Sequence, residues 1–214
     1  MIKTDEIHIS CNEKEKIDEA LKIADEFISK QDLDKKKAIR LRLLVEETIG
    51  MVSNLAKDFN ALFWMEYDEG QYRVKLTVKT DMDIEKKNDL LSVSSTGKNS
   101  FAKGFMGKIS DIIENGLLNY DYVVKLNQTY GEGVIDYACM GMTIPGNITP
   151  AIPFNKESFT WSLGNYKGAL EEASESKEPA KEAWDELEKS IVANIAKDVI
   201  VGVKGSKAEL TIIL

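Results

Sequence analysis

The chain has 214 residues, 43% of them apolar and 30% charged, an ordinary balance for one folded domain with a sizeable core. Its 28 basic residues stand against 36 acidic ones, and the resulting net charge of −8 disfavours binding to nucleic-acid backbones. The longest apolar runs, such as Ala61 to Met65 and Leu210 to Leu214, fall well short of the roughly 18 residues that span a bilayer.

The first residues, Met1 to Glu6, carry acids and no apolar stretch, which predicts no secretory signal, no membrane partner and a cytoplasmic location. Ile7, Ile9 and Cys11 alternate with polar residues and read as a first strand. It contains His8, the chain's one histidine, so Ser-His-Asp, Cys-His and multi-histidine metal chemistry are excluded. Cys11 and Cys139 form no CxxC pair, and neither a disulfide framework nor a zinc site is expected. Any acid–base work falls to carboxylates or lysines.

Asn12 reads as the N-cap of a first helix with Glu13 and Glu15 in its first turn and Ile17, Ala20, Leu21, Ala24, Phe27 and Ile28 at helical spacing. Asp34 caps a second helix running to about Lys57, whose core stripe is Ala38, Leu41, Val45, Thr48, Val52 and Leu55. Phe59 to Tyr67 and Tyr72 to Thr80 form a hairpin turning at Asp68-Glu69-Gly70. A short helix over Asp83 to Leu91 and a Ser/Thr/Gly-rich loop, Ser92 to Ser100, follow; Gly104-Phe105-Met106-Gly107 then leads into a helix over Lys108 to Leu118. Next come a strand at Val134 to Met142, a proline-containing loop at Pro145 to Pro153, a strand at Phe159 to Leu163 and a helix at Asn165 to Ala173. Pro179 opens a helix carrying Trp184, Leu187, Ile191 and Ile195 on one stripe. A second hairpin, Val199 to Lys204 and Ala208 to Ile213, turns at Gly205-Ser206. Two hairpins with helices grouped before and between them predict an α+β, two-layer sandwich: a mixed, mainly antiparallel sheet covered by helices on one face.

Three groups of residues suit chemistry. Glu47, Gly50 and Asn54 share a stripe of the second helix distinct from its core stripe. There an acid and an amide can orient a water and ligate magnesium, while Gly50 lets a ligand approach the backbone. The plain alternative is a polar face with another helix packed at Gly50. The segment Ser94-Ser95-Thr96-Gly97-Lys98-Asn99-Ser100 with Lys103-Gly104-Phe105-Met106-Gly107-Lys108 offers free N–H groups, lysines and a helix start, which suit phosphate, although it is no Walker A loop. An ordinary surface loop has the same composition. Asp81, after a strand, can accept a hydrogen bond from an adenine amino group or cap the next helix.

Together these pieces resemble the GHKL (Bergerat-fold) ATPase superfamily, in particular the histidine-kinase-like ATPase domains of bacterial anti-sigma factors and related serine kinases. The resemblance covers the element order over residues 6–118 and 184–214, and it implies one domain over 1–214 with an insertion at about 119–183. It implies Mg-ATP as cofactor, Glu47 as general base, Asn54 as magnesium ligand, Asp81 at adenine, and Gly97, Lys98, Asn99, Lys103, Gly104 and Gly107 as the lid at the phosphates. The implied partner is a sigma factor or an anti-anti-sigma-like protein, and a homodimer is left open. The chain departs from the family pattern in two places: Met51 rather than an Asn stands four after Glu47, and Met82-Asp83-Ile84 rather than glycines follow Asp81. A non-catalytic interaction module on the same scaffold is the alternative, with Phe154, Phe159, Trp161 and Tyr166 as its surface. An enzyme of another class, using carboxylates of the insertion, is a third.

Overall fold

Every second residue of the longer strands is apolar, and burying the face they share organises the molecule. The computed structural model describes residues 1–10, 13–52, 59–80, 104–110, 112–113, 116–117, 159–174 and 178–214. Two short strands come first, β1 (Ile2–Lys3) and β2 (Ile7–Ile9), then the helices α1 (Lys14–Ser29) and α2 (Lys35–Val52). The first hairpin is β3 (Phe59–Asp68) and β4 (Gln71–Thr80); after it, residues 104–110 are helical. Then come β5 (Phe159–Ser162), α3 (Leu163–Ser174), α4 (Glu178–Lys189), α5 (Ile191–Ile195) and the second hairpin, β6 (Asp198–Lys204) with β7 (Lys207–Ile213).

The sheet runs β1–β3–β4–β7–β6–β5, with β2 also on β3, and every pairing among the described residues is antiparallel. The α+β expectation holds; the mixed character does not appear in these pairings. Ala61, Phe63 and Met65, Val74, Leu76 and Val78, Val199, Val201 and Val203, and Ala208, Leu210 and Ile212 are at most 2% exposed. Their alternation puts them all on one face, the face the helices cover. Phe27 of α1 meets Tyr72 of β4 edge-on at 6.5 Å.

Turn chemistry sets both registers. Glu69 (φ 49°) and Gly70 (φ 82°) are both left-handed, the type I′ pattern that matches strand twist, so Asp68 pairs with Gln71. In the second hairpin Gly205 (φ 58°) takes the first of the two turn positions, as a type II′ turn requires.

The helical stripes are largely as predicted. Ala20, Ala24 and Phe27 of α1 are buried, with Ile17, Leu21 and Ile28 half-buried. Leu41, Val45, Thr48 and Val52 of α2 are buried and Ala38 half-buried; Leu55 lies outside the described residues. Asp34 caps α2, its Oδ1 accepting the N–H of Lys37 at 2.9 Å. At α1 the cap position falls on Glu13, whose side chain makes no capping bond; Asn12 lies outside the described residues.

Three corrections have physical causes. The single helix expected from Pro179 through Ile195 is broken at Ser190, which is extended (φ −81°, ψ 124°) and accepts the N–H of Ala193 on its hydroxyl at 3.2 Å. Serine's own hydrogen bonding competes with helix continuation, and the break leaves Ile191 46% exposed instead of in the stripe. The residues Gly104 to Gly107, read as a lead-in, are already helical because Phe105, Met106, Ile109 and Ile113 are buried and drive the helical spacing from there. Trp161 and Tyr166, read as a surface, are 4% and 8% exposed with ring centres 5.7 Å apart, so they are core; the side chains of Phe154 and Phe159 lie outside the described residues.

Strand β5 extends the sheet on β6, and α3 is tied to the same strand: Asp198 Oδ1 accepts the N–H groups of Gly164 (3.1 Å) and Val199 (2.8 Å), while Ser162 Oγ accepts that of Asn165. The strand β1 was not expected. The elements predicted at 83–100 and 134–153 lie outside the described residues. Among those described, no helix is long and apolar enough to cross a membrane.

Candidate functional site

The site begins with how α2 is buried. Leu44, Val45, Thr48, Ile49, Met51 and Val52 are all at most 3% exposed, so in the second half of α2 only Glu46, Glu47 and Gly50 face outward, an arc of roughly 100° at 100° per residue. Thr48 satisfies its buried hydroxyl locally, donating to the Leu44 carbonyl at 2.7 Å.

Two adjacent acids then have different fates. Glu46 is held by Arg42, whose Nη1 lies 3.1 Å away, close enough for an ion pair but outside hydrogen-bond geometry. The same guanidinium reaches across to α1, with Nε 2.5 Å from Asp25 Oδ1. Glu47 is half-buried and makes no hydrogen bond or ion pair among the described residues. Among the described residues it is therefore the acid of this pair that has no partner. One turn on, Gly50 is exposed, and a Cβ built there meets nothing within 4 Å. Packing against another helix, the plain reason for a glycine here, is absent among the described residues. Among the described residues there is room at this point of the helix for an added methyl, and without one the backbone is bare.

Of the other predicted site residues, Asn54, Asp81, Gly97, Lys98, Asn99 and Lys103 lie outside the described residues. Gly104 and Gly107 are described. Gly104 is exposed and left-handed (φ 71°), and Gly107 sits half-buried in the first turn of the helical segment. The segment is anchored by Phe105 on Trp161 of β5 (ring centres 6.3 Å), by an ion pair of Lys108 with Glu186 of α4, and further on by Gly116 against Val203 of β6.

These anchors give the spatial relation between the two halves of the predicted site. The helix α2 packs on β4, and the 104–117 segment lies over β6 and β5, on the same face of the sheet. Three strand spacings separate β4 from β5, about 14 Å at 4.7–4.9 Å each. Glu47 and Gly104 thus belong to one layer, on neighbouring parts of it.

The electrostatics around the anchors are those of a core. Burial, then Glu186, pushes the Tyr166 hydroxyl up to about 12. Among the described residues no group of three or more His, Cys, Asp or Glu side chains could hold a metal ion. What sequence reasoning missed is the Arg42 clamp: its i,i+4 spacing to Glu46 is a local signal that sets Glu46 apart from Glu47, whereas its second contact, with Asp25 seventeen positions earlier on α1, is tertiary. In comparisons with protein-family models, curated proteins and solved structures, nothing matches the chain.

Proposed function

We propose that this chain is an ATP-binding regulatory protein that acts on a partner protein, of the anti-sigma or serine-kinase type within the Bergerat fold. The observation that carries the reading is the outward edge of α2, where a half-buried Glu47, without a partner among the described residues, stands one turn from an exposed glycine at which an added Cβ meets none of those residues within 4 Å. The antiparallel sheet with helices on one face, and the placing of α2 and the 104–117 segment in one layer, agree with it.

The residues suit the group. Mg-ATP, when bound, supplies the phosphoryl group to be transferred; Asn54 would hold the magnesium ion through its amide oxygen and Asp81 the adenine amino group. Lys98, Lys103 and the N–H groups around Asn99, Gly97, Gly104 and Gly107 would neutralise phosphate charge. Glu47 accepts the proton of a serine hydroxyl or orients a water, as a carboxylate without a competing cation can do. Gly50 keeps the helix surface low enough for close approach.

A thermal-shift and calorimetric titration with Mg-ATP tests the reading. Ligand at about a hundred times its dissociation constant stabilises by about 2.7 kcal/mol, and Glu47→Gln is expected to keep that shift while losing phosphotransfer by about 100-fold or more. Absence of any shift at millimolar Mg-ATP, with the protein folded, refutes nucleotide binding and leaves the non-catalytic interaction module, which the missing glycines after Asp81 favour.

A further inference from the structure

The first half of α2 carries a second feature. Its opening turn is Lys35-Lys36-Lys37, and no acid stands in that turn. Positive charge at a helix N-terminus opposes the helix dipole, so this placement is locally unfavourable. Lys37 is accounted for, lying over the Tyr72 ring at 5.1 Å. Lys35, Lys36 and Arg40 are exposed, and among the described residues none of the three makes an ion pair or hydrogen bond. Asp32 and Asp34 precede the helix, but Asp34 is spent on the cap and neither pairs with these cations. At helical spacing Lys35, Lys36, Ile39 and Arg40 form one outward stripe. Ile39, in its middle, is 51% exposed, among the most exposed large apolar side chains described. Three cations without an acidic partner among the described residues thus flank an exposed isoleucine on a chain of net charge −8.

We infer that this stripe docks an acidic segment of a partner protein, with carboxylates on Lys35, Lys36 and Arg40 and an apolar side chain on Ile39. Charge complementarity selects the chemistry, and Ile39 selects protein over a phosphate-rich ligand, which has nothing apolar to offer it. One isoleucine and three cations do not outweigh the repulsion of a −8 chain by an anionic bilayer. The stripe continues along α2 through Leu43 to Glu47 and Gly50, each three or four residues on, so a partner held here lies beside the proposed phosphotransfer edge. The inference deepens the partner-directed reading above, and its test runs without nucleotide, so the two fail separately.

The probe is a short fluorescein-labelled peptide of Glu-Glu-Leu repeats, followed by fluorescence anisotropy against the full chain. Binding is expected at about 50 mM salt and weaker at about 300 mM, where charge interactions are screened. The triple variant K35E/K36E/R40E should lose at least about tenfold in affinity and Ile39→Ala about threefold, while Lys14→Glu, at the start of α1, changes nothing. The triple variant places acids in the first turn, so its melting temperature should hold or rise, which separates lost docking from lost fold. Equal binding by the triple variant, or no binding by the wild type, overturns the proposal. So does binding to phosphatidylserine vesicles without peptide binding, or a concentration-dependent dimer that the triple variant abolishes.

Discussion

Replacing Gly50 with alanine separates two properties of α2 that ordinarily change together. Glycine inside a helix is less favourable than alanine by about 0.8–1.0 kcal/mol. The position is in α2, and an added methyl meets nothing within 4 Å, so the propensity gain is not offset by a clash. For 214 residues the unfolding entropy is roughly 0.45 kcal/mol/K, so the melting temperature should rise by about 2 °C. The same methyl occupies the space through which a nucleotide would approach the helix, and overlap of that kind costs about 1–3 kcal/mol, roughly 5- to 150-fold in affinity. Urea denaturation without ligand reads the first effect and calorimetry with Mg-ATP the second. A Gly50→Ala protein that is less stable by more than about 0.5 kcal/mol refutes the open space. One that is more stable yet binds Mg-ATP unchanged refutes close approach at Gly50 and moves any nucleotide elsewhere.

Gly116 shows the opposite behaviour: a Cβ there lies 2.8 Å from Val203 Cγ2, so Gly116→Ala should destabilise by about 1–2 kcal/mol despite its helix propensity. Val203→Ala in the same background should recover part of that loss, and a double-mutant cycle reads the coupling as about 1 kcal/mol. The hydroxyl of Ser110 is buried with no hydrogen-bond partner among the described residues, so Ser110→Ala should stabilise by about 1 kcal/mol in urea titration, and a comparable loss would mean that the hydroxyl is bonded. Tyr166 titrates near 12 when folded and near 10 when unfolded, so the unfolded state loses its proton first and stability falls as pH rises from about 10 to 12, by roughly 2–3 kcal/mol. Denaturation at pH values across that window should show the fall in the wild type and a smaller one in Tyr166→Phe.

Much of the scaffold was legible residue by residue. The 3.6-residue spacing of Leu41, Val45, Thr48 and Val52, the cap at Asp34 and both hairpins were read from neighbours a few positions apart, and all are present. Where local reading failed, a side chain's alternative partner decided. The helix through Ile195 looked continuous by periodicity, yet the Ser190 hydroxyl takes the Ala193 N–H and divides it. The glycines at 104 and 107 looked like a loop, yet Phe105 against Trp161 pulls them into a helix. For the candidate site, the stripe of Glu47 and Gly50 and the i,i+4 spacing of Arg42 and Glu46 could be drawn from the sequence, but not the reach of the same guanidinium to Asp25 of α1, nor that Glu47 has no partner among the described residues.

What the sequence by itself determined is therefore the set of interactions closed within a turn or a hairpin: stripes, caps, and the left-handed Gly70 and Gly205, because their geometry depends on residues adjacent in the chain. Tertiary structure alone decided that β5 joins β6, that β1 lies along β3, and that Lys35, Lys36 and Arg40 have no acidic partner among the described residues. Such outcomes depend on which distant groups arrive within a few ångströms, and the energy of a strand edge or an ion pair is set by that arrival rather than by the residues beside it.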